Sequence, residues 1–282
     1  MSTANFSGRS PVTLITGYRG LAEELINRLG SQGSVSVLVR DPGAIAGLEK
    51  RFPEVLFVAG DVVNGADGKN WVDRSLERFG RIDCLINNAA VSGPAGRTHD
   101  ISFVDFRLAI DIDFLAPVRL TKFVLPHFLK QNGGVVINLS GGGATQGRPF
   151  FNAYACAKTA LVRFTETLAI EYPEFRFYAV SPGALMTPMI EKLKALDRAT
   201  IGSEWDEAQR RSKEGGEDPL KAVHLIQWLI EHRPEELNGA VLSAVWDDVK
   251  AAHLPHSAGW WRLRRVDEVL LSRLKSSKKG LE

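Results

Sequence analysis

The sequence predicts an α/β protein, a single doubly wound parallel sheet with helices on both faces. Three observations predict it. Short apolar, largely β-branched runs recur along the chain, each is followed by a segment of helical periodicity, and the runs are continuously apolar rather than alternating, as strands covered on both sides are. With 282 residues, 44% of them apolar, the chain has enough material for one large core and needs no disulfide to hold it.

The elements follow in order. Val12 to Ile15 form a first strand that ends at Thr16-Gly17, and a helical pattern opens near Gly20. Val35 to Val39 is the second strand, Pro42 to Arg51 a helix, Val55 to Val58 the third strand, and Asp67 to Phe79 a helix. Ile82 to Ile86, a long helical stretch from Ser102 to Lys130, Val135 to Leu139, a helix from Phe151 to Tyr172, and strand Phe175 to Val180 continue the alternation. Pro182-Gly183 breaks it. Met186 to Asp218 is polar, charged and weakly helical, which predicts a mobile lid. A helix from Pro219 to His232 and a last strand, Ala240 to Ala244, complete the set. The expected organisation is a polar arm over residues 1–10, one domain over 11–246, and an extension over 247–282.

Charge is nearly balanced, 35 Lys and Arg against 33 Asp and Glu, which argues against nucleic acid or a membrane surface as partner. The balance is uneven along the chain: from Lys250 to Glu282 there are 8 basic and 3 acidic residues, on a body that is slightly acidic. No apolar window reaches the ~18 residues of a membrane span, and the amino terminus has no signal-peptide core. Cys84 and Cys156 fall in a buried-strand and a helical segment, which suits reduced thiols in a cytoplasmic protein. His99, His127, His224 and His232 are scattered without metal spacing, so no metal is expected.

Tyr154 and Lys158 lie four apart in a helical pattern and so share one face. A free phenol titrates near ~10, and an ammonium one turn away is expected to draw that value toward working pH. Such a tyrosine can give a proton to a carbonyl oxygen or take one from an alcohol. A Tyr and a Lys at this spacing also arise by chance in many helices, so the surrounding order of signals decides.

That order resembles the short-chain dehydrogenase/reductase family over Pro11 to about Trp246. Thr16-Gly17-Tyr18-Arg19-Gly20 stands where the family has its glycine-rich turn, Asp61-Val62 where an aspartate meets the adenine, and Asn87-Asn88-Ala89-Ala90 is similar to its Asn-Asn-Ala-Gly. Tyr154 to Lys158 resembles its Tyr-x-x-x-Lys, and Pro182-Gly183 with Thr187 its segment beside the nicotinamide. The resemblance implies a Rossmann-type fold and a dinucleotide held by Gly17, Arg19, Gly20, Leu21, Arg40, Asp61, Val62, Asn88, Ala89, Ala90, Tyr154, Lys158, Pro182, Gly183 and Thr187. A backbone without side chains and a helix amino end suit a pyrophosphate, although this loop is one residue shorter than the family's and carries Ala22 at its last glycine position.

Arg19, and Arg40 at the end of the second strand, match the arginine positions of NADP-preferring relatives, so NADP(H) is expected and NAD(H) is the alternative. Asp41, one step on, is an acidic residue that can also cap the helix at Pro42. Two departures bear on mechanism. The family's serine falls on Gly141, with Ser140 adjacent on the opposite side of the strand and backbone amides available from Gly141-Gly142-Gly143. Asp113 stands where the family has the asparagine of its proton relay. If buried by Lys158 it would pair with the ammonium and weaken its pull on Tyr154; otherwise it is a satisfied carboxylate at a helix kink.

The resemblance thus implies a carbonyl or alcohol small molecule as substrate, with Tyr154, Lys158, Asp113 and Ser140 as the catalytic candidates. It also implies a homodimer or homotetramer paired through the helices at 102–130 and 151–172. Phe150, Phe151, Met186 and Met189 occupy pocket-lining positions of relatives. A second reading follows from the short loop, Gly141 and Asp113: a protein of this fold whose redox chemistry is lost or changed, acting as a scaffold, cyclase or isomerase.

Overall fold

The computed structural model describes residues 9–247. Nearly all of the predicted arm and extension lie outside the described residues. Within them, seven strands form one parallel sheet in the order β3-β2-β1-β4-β5-β6-β7. They are β1 (Val12–Thr16), β2 (Ser34–Val39), β3 (Leu56–Ala59), β4 (Cys84–Asn87), β5 (Val135–Leu139), β6 (Arg176–Ser181) and β7 (Val241–Ser243). Helices α1 (Leu21–Gly30), α2 (Ile45–Arg51), α3 (Gly65–Phe79), α4 (Phe103–Ile110), α5 (Ala116–Gln131), α6 (Asn152–Glu171) and α10 (Pro219–His232) connect them.

The strands are apolar throughout because successive side chains enter different cores. Ile15, Ile86 and Ile137 pack with Leu25, Ile26 and Ile226 of α1 and α10. Their chain neighbours Leu14, Leu85 and Val136 pack on the other face with Trp71, Leu120 and Phe128 of α3 and α5. Every core strand therefore contributes to both layers, and the sheet is doubly wound as the sequence predicts.

Element ends differ from the sequence reading where side chains set them. Asn64 caps α3 by accepting from the Ala66 N–H at 2.9 Å, so the helix begins at Gly65 rather than Asp67. Asp41 accepts from the Gly43 N–H and caps the 3-10 turn that leads into α2. The long stretch from Ser102 is one continuous helical rod, but α4 and α5 are joined by a turn of π-helix over Asp111–Leu115. Single π turns widen a helix by one residue and recur at functional sites; this one carries Asp113 into the interior, fully buried.

Residues 186–218 are more ordered into helices than their composition suggests, forming α7 (Pro188–Lys194), α8 (Arg198–Ile201) and α9 (Ser203–Glu214). The charges that mask helical periodicity in the sequence pair along α9, Glu207 with Arg210 and Arg211, and Arg210 with Glu214. The sparse apolar residues Ile190, Leu193, Ile201 and Ala208 pack on Phe151 and Tyr154.

Candidate active site

A cavity of about 1170 Å³ opens at the carboxyl ends of the strands, over the paired strands β1 and β4 whose following loops part to opposite sides. This is the topological switch point, where loops on either side separate and a ligand can reach the backbone. The loop after β1 turns at Gly17 and Gly20, whose φ values of +76° and +66° belong to the left-handed region that glycine tolerates. Thr16 ties it to the loop after β4: its Oγ1 accepts from the N–H groups of Asn88 and Ala89, each at 2.9 Å, and its carbonyl accepts from Asn88 Nδ2 at 2.9 Å. Gly20 leads into α1 with no side-chain cap, so the first-turn amides face the cavity end of the helix without a side-chain acceptor.

Every residue predicted for the dinucleotide, from Gly17 to Thr187, lines this one cavity. Asp61 shapes its turn by accepting from the Val63 N–H at 3.1 Å. Arg19 and Arg40 lie at the same end. Arg19 stacks on Tyr18 and stands 4.0 Å from Asp41, an exposed pair of small energetic weight. The residues present fit a nicotinamide dinucleotide: uncapped helix amides, positive-φ glycines and basic side chains at one end, Tyr154 and Lys158 at the other. The volume exceeds the ~300–1,000 Å³ of an ordinary ligand pocket, leaving room for a second molecule.

Tyr154 and Lys158 emerge on one face of α6, the ammonium 5.7 Å from the phenol ring centre. Lys158 is buried and its Nζ donates to the Leu139 carbonyl at 2.9 Å. Burial holds its pKa below the ordinary lysine value, with the nearby Asp113 carboxylate acting in the other direction. Tyr154 departs from the expectation of a depressed pKa. Burial first, and the Asp113 charge second, push it up to about 12, against the opposing pull of Arg148.

Asp113 is neither of the two things the sequence allows for it. Its Oδ1 accepts from the Val91 N–H at 2.8 Å, while its buried Oδ2 has no hydrogen-bond partner. It stands behind the wall of the cavity and makes no direct ion pair with Lys158 among the described residues. Burial pushes its pKa to about 6, with Lys158 working against the rise.

Gly141 is occupied territory. A Cβ there would lie 2.2 Å from the Tyr154 hydroxyl, so the phenol fills the space that a side chain at 141 would need. Ser140 reaches the cavity wall with a buried Oγ that has no partner among the described residues, and its N–H donates to Val180 at 2.8 Å.

Two charged residues at the substrate end escape the sequence reading altogether. Arg148, before α6, forms a forked ion pair with Glu204 of α9, Nε to Oε1 at 3.1 Å and Nη2 to Oε2 at 2.7 Å. Its guanidinium lies over Phe151 and Tyr154, 4.7 and 5.2 Å from their ring centres. Fifty-six residues separate the partners, and no local spacing signals a contact made only when the lid folds over α6.

No helix among the described residues is long and apolar enough to cross a membrane, and none of their acidic, histidine and cysteine side chains cluster as a metal site. Cys84 is buried and Cys156 exposed, both free.

A doubly wound sheet with a dinucleotide cradle and an interior Tyr-Lys pair defines a nicotinamide-dependent oxidoreductase. The chain belongs to the short-chain dehydrogenase/reductase family, whose profile, described as short chain dehydrogenase, matches residues 11–197. It is similar to levodione reductase of Leifsonia aquatica, 31% identical over 253 residues, which cover 85% of this chain and 94% of that protein. It is also similar to L-fucose dehydrogenase of Bos taurus, 30% identical over 188 residues, 65% of this chain and 69% of the relative. Among solved structures, a short-chain dehydrogenase/reductase from Saccharomyces cerevisiae superposes with a TM-score of 0.80 at 25% identity, covering 87% of this chain and 100% of its own. A levodione reductase structure gives 0.73 at 26% identity over 83% and 96%. The relatives are named dehydrogenases and reductases, and the chain is by this membership an NAD(P)-dependent oxidoreductase.

Proposed function

We propose that the protein is an NADP(H)-preferring reductase that interconverts a small-molecule ketone and its secondary alcohol, with Tyr154 as the proton donor and acceptor. The observation that carries the reading is that Tyr154 and Lys158 share one cavity with the Gly17–Leu21 turn and Arg40. The dinucleotide, when bound, supplies or takes the hydride.

The chain's own residues do the rest. The α1 amides and the glycine turn hold the pyrophosphate. Lys158, fixed by the Leu139 carbonyl, brings a positive charge to the ring side of Tyr154. A phenol whose pKa is about 12 keeps its proton at neutral pH and so holds the proton that a developing alkoxide takes. Ser140, whose Oγ lacks a partner, and the amides of Gly141 and Gly142 are the donors available to that oxygen in place of the family's serine. Loss of the near-ultraviolet absorbance of NADPH in the presence of a ketone tests the assignment.

Arg19 and Arg40 support the preference for NADP(H), since each can donate to a ribose phosphate. Arg40→Ala is expected to lower kcat/KM for NADPH by roughly 10- to 100-fold, the weight of one charge-assisted hydrogen bond, with NADH little changed. A wild-type enzyme that uses NADH better than NADPH overturns the preference.

Homodimer or homotetramer formation is supported by apolar side chains left uncovered on α4, α6 and the π turn: Phe103 at 77% exposure, Val104 at 67% and Ile170 at 71%, with Leu108 and Leu115 partly open. Sedimentation is expected to show no monomer at micromolar concentration, and Phe103→Glu to produce one. The free thiols support a cytoplasmic location.

A further inference from the structure

We infer that Arg148, held by Glu204 at the substrate end of the cavity, is a specificity-determining residue that donates to a second oxygen of the substrate. The enzyme accordingly takes neutral ketones carrying a hydroxyl or carbonyl oxygen close to the reacting carbon. The inference rests on the reductase reading and names the substrate class for that same site.

Arg148 is a guanidinium on the cavity wall with its position fixed from two sides. The aromatic rings of Phe151 and Tyr154 lie against its face, and the Glu204 carboxylate takes the Nε and Nη2 edge. Both side chains are mostly withdrawn from solvent, 18% exposed for Arg148 and 24% for Glu204. A guanidinium carries five N–H donors and no acceptor. Glu204 uses two of them, so what Arg148 has left to offer a ligand is donors alone, and their natural complement is an acceptor oxygen. With its guanidinium carbon 5.2 Å from the Tyr154 ring centre, one small molecule can touch both residues.

The charge of the ligand follows from the pairing. Glu204 already neutralises Arg148, and a substrate carboxylate would meet the Glu204 oxygens at close range. The neighbouring cation of the lid wall, Arg211, is likewise paired, with Glu207 at 2.6 Å. Lys192, on the exposed rim, is the remaining cation of that wall. Asp105 of α4, also exposed, is the remaining carboxylate of the lining besides those already named and those at the adenosine end, so the interior of the substrate end is electrically balanced but rich in donors, which suits a neutral oxygen. A ketone without a second oxygen leaves these half-buried donors unpaired and is discriminated against for that reason.

The test uses matched ketones: cyclohexanone against 2-hydroxycyclohexanone, 2-butanone against 3-hydroxy-2-butanone, and acetoacetate as the carboxylate-bearing member, each followed by oxidation of NADPH. Wild type is expected to favour the hydroxyketones by about 10- to 100-fold in kcat/KM. Arg148→Gln is expected to remove most of that preference, read as the ratio of kcat/KM for each hydroxyketone to that for its plain partner, a ratio in which any change in the Tyr154 step that both substrates share cancels. Arg148→Lys, which keeps the charge and loses the fork, is expected to do the same and guards against a folding defect in the first variant. Glu204→Gln leaves the guanidinium uncompensated and is expected to move preference toward acetoacetate. Equal use of plain and hydroxylated ketones by wild type, a wild-type preference for acetoacetate, or an unchanged preference in both Arg148 variants overturns the inference and leaves the reductase reading standing. Absence of NADPH oxidation with every ketone overturns the reductase reading, and the inference falls with it.

Discussion

Replacing Tyr154 with phenylalanine is expected to lower kcat by about 10²–10⁴, the span associated with a positioned proton donor, with KM for NADPH and the thermal midpoint nearly unchanged. The two halves of that expectation have separate causes. The Tyr154 hydroxyl has no hydrogen bond among the described residues, so phenylalanine keeps its packing against Phe151 and Ile190 and its place under the Arg148 guanidinium. What is lost is the one acidic O–H that stands against Gly141 at the mouth of β5. Position 141 has no side chain, and Ser140 and the neighbouring amides can polarise the carbonyl but are too weakly acidic to give it a proton. Loss of the tyrosine is therefore expected to fall toward the severe end of the range. Steady-state assays with calorimetry on the same samples check it; activity of the variant within threefold of wild type would remove Tyr154 from the mechanism.

The parts of this site that the sequence displays are those whose geometry is local. A glycine turn after a strand, a Tyr and a Lys one helical turn apart, and an Asn-Asn-Ala-Ala segment after the fourth strand each specify their own conformation, and the parallel sheet brings their ends to one crevice because every strand points the same way. The order of β-branched runs was sufficient for the doubly wound sheet for the same reason: continuous apolar strands have to be covered on both faces. Three features were not legible. The Arg148–Glu204 pair depends on α9 folding back over α6, a contact that no spacing encodes. The lid's helices were hidden because their periodicity lies in charged side chains that pair with each other along α9. The direction of the Tyr154 pKa differs from the expectation chiefly because spacing announces the ammonium of Lys158 but not the burial; the Asp113 carboxylate is legible as a departure from the family's asparagine, but not the π turn that carries it inward.

That carboxylate is the source of the second large effect. Asp113→Asn is expected to stabilise the protein above pH 7 and to do nothing of the kind near pH 4. The folded-state pKa of Asp113 is pushed up to about 6, above the ordinary aspartate value of 3.8, so the folded protein holds the proton more tightly than the unfolded chain. The resulting stabilisation is complete below about pH 4 and is lost as pH rises through about 6, at an eventual cost on the order of 3 kcal/mol. Asparagine keeps the acceptor for the Val91 N–H and carries no charge to desolvate. It leaves a buried amide donor in place of the orphaned Oδ2, a penalty of about 1 kcal/mol or more, so a net gain of roughly 1–2 kcal/mol at pH 8 is expected in urea titrations. The same titration reaches the chemistry. Ionised Asp113 raises the Tyr154 pKa and opposes release of its proton; neutral Asp113 does not. Wild-type kcat for reduction is therefore expected to rise as pH falls through about 6. In Asp113→Asn the step should be absent, and kcat above pH 7 should reach the wild-type acid plateau, with the other charges that bear on Tyr154, namely Arg148 and Glu204, left in place. Superimposable pH profiles and equal stability at pH 8 for the two proteins would show that the charge at 113 acts on neither the fold nor the phenol.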